Sequence, residues 1–161
     1  LAEVNFGGYI QRLSGQLFDA YCIDPSRIRL ELNVEAVRLD LDEAVPCGLI
    51  LNELLSNSLK HAFSDGRQGT IRISLRKAEG DIVELEIADD GAGLPVGFRL
   101  EDSPSLGLRV VRILTKQLHT DLAVSGEGGT AFTLRLKAAE GLNSTAYGPR
   151  VSKDNCDGEK H

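Results

Sequence analysis

Leu51-Asn52-Glu53-Leu54-Leu55-Ser56-Asn57-Ser58-Leu59-Lys60-His61-Ala62-Phe63 is the stretch whose reading decides the fold. At about 100° per residue in an α-helix, Glu53, Asn57 and Lys60 fall on one narrow face with His61 at its edge, while Leu51, Leu55, Leu59 and Ala62 point largely the other way. The apolar side requires a core. The opposite side lines up a carboxylate, an amide and an ammonium along one groove. An amide oxygen can complete the coordination of a phosphate-bound magnesium, a carboxylate can orient or deprotonate a hydroxyl or water, and a lysine can balance phosphate charge. In isolation the same spacing also describes a solvated helix face with one i,i+4 polar pair.

Outward from this stretch, helical periodicity extends back to Asp42, where Asp42 and Glu43 suit the positive end of the helix dipole and Pro46 is tolerable only in the first turn. Residues 4–21 place Ile10, Leu13, Leu17 and Tyr21 at helical spacing, and Asp24-Pro25 stops that pattern. Between the two helices Ile28, Leu30 and Leu32 alternate with Arg29, Glu31 and Asn33, as in a half-buried strand. Beyond the central helix, residues 70–77 and 82–88 alternate in the same way around Ala78-Glu79-Gly80-Asp81 and predict a hairpin. A loop over 89–103 leads to a third helix with Leu106, Val110, Ile113, Leu114 and Leu118 as its buried stripe. Strands over 122–125 and 131–137 flank Gly126-Glu127-Gly128-Gly129, a turn. This order predicts an α/β fold, a two-layer sandwich whose mixed, mostly antiparallel sheet is covered on one face by helices. No repeat is present.

Two more segments carry chemistry. Asp89-Asp90-Gly91-Ala92-Gly93 follows an apolar strand directly; glycines let a backbone approach a ligand, and a carboxylate there can accept from an exocyclic amine such as that of adenine. Asp-Gly pairs also make ordinary turns. It is not the dinucleotide fingerprint, since no third glycine opens a helix at the required offset. Ser103-Pro104-Ser105-Leu106-Gly107-Leu108 runs into a helix whose first amides can receive a phosphate, and Ser105 can cap that helix or bind the ligand.

Composition narrows the classes. A chain of 161 residues, 42% of them hydrophobic, supports one well-filled core. A net charge of −6 offers no electrostatic footprint for nucleic acid. Cys22, Cys47 and Cys156 are odd in number and widely spaced, which argues against a disulfide framework or a zinc cluster and for a reducing cytoplasm. No apolar run approaches the roughly 20 residues needed to span a bilayer, and no basic segment followed by an apolar one opens the chain. Direct membrane contact is therefore not expected.

In this order and spacing the three segments resemble the N box, G1 box and G2 box of histidine kinases, within the wider GHKL ATPase superfamily of gyrase, the heat-shock chaperone and mismatch-repair ATPases. The resemblance runs from about Val4 to Lys137, and Gly128-Gly129-Thr130-Ala131-Phe132 looks like that family's final strand pair. It implies the Bergerat ATP-binding fold, a left-handed βαβ arrangement with the nucleotide between the N-box helix and a lid. It also implies ATP and Mg2+ as cofactors, Asn57 as metal ligand, Glu53 as the acidic residue assisting catalysis, and Lys60 with His61 near the phosphates. By the same match Asp89 reads the adenine amino group, Gly91 and Gly93 shape the pocket, and Ser105 with Leu106-Gly107-Leu108 closes over the phosphates. Thr130 sits beside the aspartate. Asp90 stands where the family has asparagine, Ser103 and Ser105 stand where it has the first G2 glycines, and no F box is visible. The Asn52-Glu53 start is similar to the compact-lid subgroup, often found in bacterial light, redox or other soluble-sensor kinases.

His61, His119 and His161 lack the context of a phosphoacceptor. The resemblance therefore implies that the histidine lies on a dimerisation domain before Leu1, with residues 1–24 as helix and connection from it, 25–139 as the ATP-binding domain and 140–161 as a disordered tail. Expected partners are that upstream phosphoacceptor domain, a sensor domain and a response-regulator receiver domain. The whole protein would be a cytoplasmically exposed homodimer. A serine kinase of the anti-sigma-factor type and a non-catalytic adaptor share the fold and are the alternatives.

Overall fold

The computed structural model describes residues 2–139, so the expected tail over 140–161 lies outside the described residues. The chain opens with a short strand β1 (Glu3–Asn5), where the periodicity predicted helix from residue 4. It pairs antiparallel with β3 (Arg38–Asp40), Val4 opposite Leu39. A partner so distant in sequence leaves no local signal in either three-residue segment. Helix α1 (Phe6–Ala20) follows at once, with the Asn5 side chain accepting from the Gly8 amide at 3.1 Å as its cap. After α1 the Ser26 hydroxyl and amide both donate to Asp24, which holds that exposed carboxyl below its ordinary range.

Strand β2 (Ile28–Val34) leads through β3 to the long helix α2 (Leu41–Asn57), which continues without a break into a π-helical turn over Ser58–Ala62. Pro46 lies in the second turn of α2, beyond the first-turn position expected of it. Strands β4 (Gly69–Lys77) and β5 (Ile82–Asp89) form the predicted hairpin. A loop with one 3₁₀ turn at Leu100–Asp102 leads to α3 (Leu106–Gln117), and β6 (Leu122–Ser125) and β7 (Thr130–Lys137) complete the fold.

The main sheet has the order β2-β4-β5-β7-β6. Only β2 and β4 run parallel, through the crossover that contains α2; the other neighbours are antiparallel. Alternation sorts the faces. Ile71, Ile73 and Leu75 of β4, Val83, Leu85 and Ile87 of β5, and Phe132, Leu134 and Leu136 of β7 are buried against Ile50, Leu51, Leu54 and Leu55 of α2. Each such side chain contributes about 1.5–3 kcal/mol over its exposed state. The opposite face is charged: Arg76 of β4 and Arg135 of β7 meet Glu84 of β5 at 2.5 and 3.5 Å. The Arg76 hydrogen bond keeps the Glu84 carboxyl below its ordinary range.

In α3 the predicted stripe is half right: Leu114 and Leu118 pack against the core, but the fully buried positions are others. Leu108, Val111 and Thr115 are buried, whereas Leu106 and Ile113 are 74% and 64% exposed. Ser105 caps the first turn, and Leu108, which follows it, is buried. Thr115 tolerates its buried place by donating its hydroxyl to the Val111 carbonyl at 2.7 Å.

Candidate nucleotide-binding site

At the C-terminal end of α2 the chain opens a cavity of about 370 Å³, within the range of small-molecule sites. Asn57, Ser58 and His61 line it from the helix, Asp89 from the end of β5, Gly93 and Leu94 from the loop, Ser105 and Leu108 from the start of α3, and Thr130 from β7. Leu94, Leu108 and Phe132 give it apolar walls suited to a flat ring.

The π turn settles which helix residues reach the cavity. Its i→i+5 bonding advances each residue by roughly 80°, against about 100° in an α-helix. Past Asn57 that swings Lys60 from about 60° to about 120° off the Asn57 direction, while His61 stays about 40° from it. The Lys60 ammonium lies 5.9 Å from the centre of the Tyr21 ring, so the structure does not bring Lys60 together with Asn57. The far end of the turn is held by Arg27, which donates to the Phe63 carbonyl.

Asp89 is the carboxylate of the cavity, and both its oxygens are engaged. Oδ1 accepts from the Gly91 amide at 3.1 Å and Oδ2 from the Ser58 hydroxyl at 2.9 Å. Each oxygen keeps a further lone pair for a ligand donor. Thr130 is the direct cross-strand partner of Asp89. The loop after Asp89 presses on the helix end: the Ala92 amide donates to the Ala62 carbonyl at 2.9 Å, and a Cβ on Gly91 would collide with that same carbonyl.

The start of α3 forms the remaining wall. The Ser105 hydroxyl accepts from the Leu108 amide at 3.4 Å, so it caps the helix while facing the cavity. Glu53, one turn before Asn57 and outside the cavity wall, rests its carboxylate against Gly107, where a Cβ would strike it. Leu106 points to solvent.

The sequence profile described as Histidine kinase-, DNA gyrase B-, and HSP90-like ATPase matches residues 43–140. The chain belongs to this ATPase family. Among relatives of this histidine kinase-like ATPase, Sensor histidine kinase PdtaS of Mycolicibacterium smegmatis is 35% identical over 139 residues, which are 83% of this chain and 27% of that protein. Blue-light-activated histidine kinase 2 of Erythrobacter litoralis is 26% identical over 151 residues, 94% of this chain and 43% of that protein. The solved histidine kinase domain from the Erythrobacter litoralis EL346 blue-light activated histidine kinase superposes with a TM-score of 0.77 at 27% identity, over 83% of this chain and 61% of that one. The chain thus spans about a quarter of the first relative and less than half of the second.

Within the ATPase family's fold, the structure gathers Asn57, His61, Asp89, Gly93, Ser105, Leu108 and Thr130 around one cavity, with Gly91 and Gly107 as close-approach points behind it. Ser58 was not singled out by its sequence, because a serine within a helical run carries no signal until its partner in β5 is placed. Among the described residues no group of three or more His, Cys, Asp or Glu side chains is arranged to hold a metal ion. A single amide, Asn57, fits a magnesium carried in chiefly by nucleotide phosphates and water.

Proposed function

We propose that this ATPase-family chain is the ATP-binding catalytic domain of a sensor histidine kinase, transferring the γ-phosphate of ATP to a histidine on a separate dimerisation domain. The observation that carries the reading is the Asp89 carboxylate, fixed from both sides in an apolar-walled cavity with lone pairs to spare, and Asn57 on the wall beside it. An adenine 6-amino group supplies the donor that Asp89 lacks. Bound magnesium supplies charge neutralisation at the phosphates, and the Asn57 amide oxygen would hold it there.

The chain's own contribution is positioning and charge stabilisation. Asp89 and Thr130 seat the base, the first amides of α3 face the phosphates, and His61 stands at the cavity rim. Glu53, braced on Gly107, would orient the incoming imidazole or take its proton. His61 lies in the cavity wall, and in this reading the acceptor imidazole belongs to a separate dimerisation domain. The phosphohistidine then serves a response-regulator receiver domain. The relatives named above are a sensor histidine kinase and a blue-light-activated histidine kinase, which supports a phosphoacceptor and a sensor region as partners of this domain. Among the described residues no helix is long and apolar enough to cross a membrane, and we place the site in the cytoplasm, where ATP is supplied.

Calorimetric titration with a non-hydrolysable ATP analogue, with and without magnesium, tests the reading. Wild type binds in a magnesium-dependent manner. Asp89→Asn weakens binding about tenfold or more, the worth of a hydrogen bond to a charged group. Asn57→Asp alters the magnesium dependence. Unchanged affinity in both variants would sink the site assignment.

A further inference from the structure

We propose that Ser58 sets the purine specificity of the cavity by holding the Asp89 carboxylate in the orientation that accepts a 6-amino group. The proposal rests on the adenine reading of Asp89 given above and adds a residue that positions it.

Ser58 is 6% exposed and lines the cavity. Its hydroxyl donates to Asp89 Oδ2 at 2.9 Å, across 31 residues of sequence, and so joins the helix to the sheet. Buried helical hydroxyls usually return their proton to their own helix. Ser14 does so to the Ile10 carbonyl and Thr115 to the Val111 carbonyl, each at 2.7 Å. Ser58 instead spends its one proton on Asp89. With the Gly91 amide on Oδ1, the carboxylate is pinned at both oxygens and cannot turn about its side-chain torsions without losing a bond.

Specificity follows from proton counting. A hydroxyl has one proton, and while Asp89 accepts it Ser58 presents only lone pairs to the cavity. An adenine edge brings an amino donor to this all-acceptor pair. A 6-oxo purine in the same pose puts an acceptor where the amino group was, and no proton meets it there unless the Ser58–Asp89 bond breaks or the base shifts to offer its N1–H. Rejection of a base that leaves buried groups unpaired is the strong form of discrimination. Removing the hydroxyl leaves Oδ2 short of a donor and frees the carboxylate to rotate, so the loss falls on the 6-amino contact and spares the sugar and phosphates.

The test titrates the 161-residue chain with ADP, with GDP and with purine riboside 5′-diphosphate, which lacks the 6-amino group. Wild type, Ser58→Ala, Ser58→Cys and Asp89→Asn are compared, and thermal melts report folding. Ser58→Cys fills the site with a slightly larger atom and weakens the donor, so the comparison survives should the alanine variant fail to fold. Expected in Ser58→Ala are a fall in ADP affinity of about tenfold, little change for the analogue lacking the amino group, and a contracted ADP-to-GDP preference; Ser58→Cys falls between. An equal loss for ADP and the analogue in both serine variants would make the hydroxyl a packing element and overturn the proposal, with the adenine reading intact. Wild type that binds ADP and the analogue alike, with Asp89→Asn silent, overturns the adenine reading and this proposal together.

Discussion

Asp89 and Asp90 are adjacent in sequence and face opposite ways. Asp89 turns into the cavity, while Asp90 Oδ1 accepts from the Thr70 amide at 2.7 Å and its own amide donates to the Thr70 carbonyl at 3.3 Å. Asp90 thereby fastens the end of β5 to the start of β4, close enough to Gly69 that a Cβ there would meet its oxygen. Its side chain acts only as an acceptor, a role an asparagine oxygen fills equally well. The departure from the family's usual asparagine is therefore neutral for the ligand. Asp90→Asn should leave affinity for an ATP analogue within about twofold, in contrast with Asp89→Asn, when both are titrated calorimetrically. A tenfold loss at Asp90 would mean that this side chain reaches the nucleotide. From the chain alone the pair read as one motif, since strand alternation ends at residue 89 and nothing local states which carboxylate turns inward.

At the scale of elements, α2 and α3 share the site through one close approach. Gly107, in the first turn of α3, leaves room for the Glu53 carboxylate of α2. Gly107→Ala suits a helix interior by propensity but places a methyl group in that carboxylate's position. The expected outcome is nearly unchanged ADP affinity by calorimetry together with a drop of about tenfold or more in phosphotransfer, followed with labelled ATP once the dimerisation domain is joined to this chain. Equal losses in both would place Gly107 in binding alone. Most of these elements were legible because their apolar residues repeat cleanly: Leu51, Leu55 and Leu59 for α2, and Ile71, Ile73 and Leu75 for β4. What was not legible was set by distant partners. The π turn carries Lys60 over the Tyr21 ring and is followed by Phe63, whose carbonyl accepts from Arg27; β1 and β3 pair with each other; and in α3 the exposed Leu106 and Ile113 cannot be told from the buried Leu108 and Val111 by apolar count.

For the molecule as a whole, the β4–β5 hairpin is closed by a short turn, whereas β2 must meet β4 across roughly forty residues of intervening chain that include α2. Local pairings form first and distant parallel ones late. The cavity draws its walls from α2, β5, α3 and β7, so it is complete only once both helices have docked beside the β5–β7 pair. A site built from four elements this far apart is expected to be absent from the folding transition state. Contacts absent from the transition state slow unfolding and leave the folding rate unchanged. Saturating ADP with magnesium is expected to lengthen the native lifetime in stopped-flow denaturant jumps while the refolding limb of the chevron stays where it was. A refolding limb that accelerates with ADP would show the cavity assembled before the sheet is closed. A cavity walled by elements far apart in the chain thus makes the ligand a brake on unfolding and gives it no part in guiding the chain to its fold.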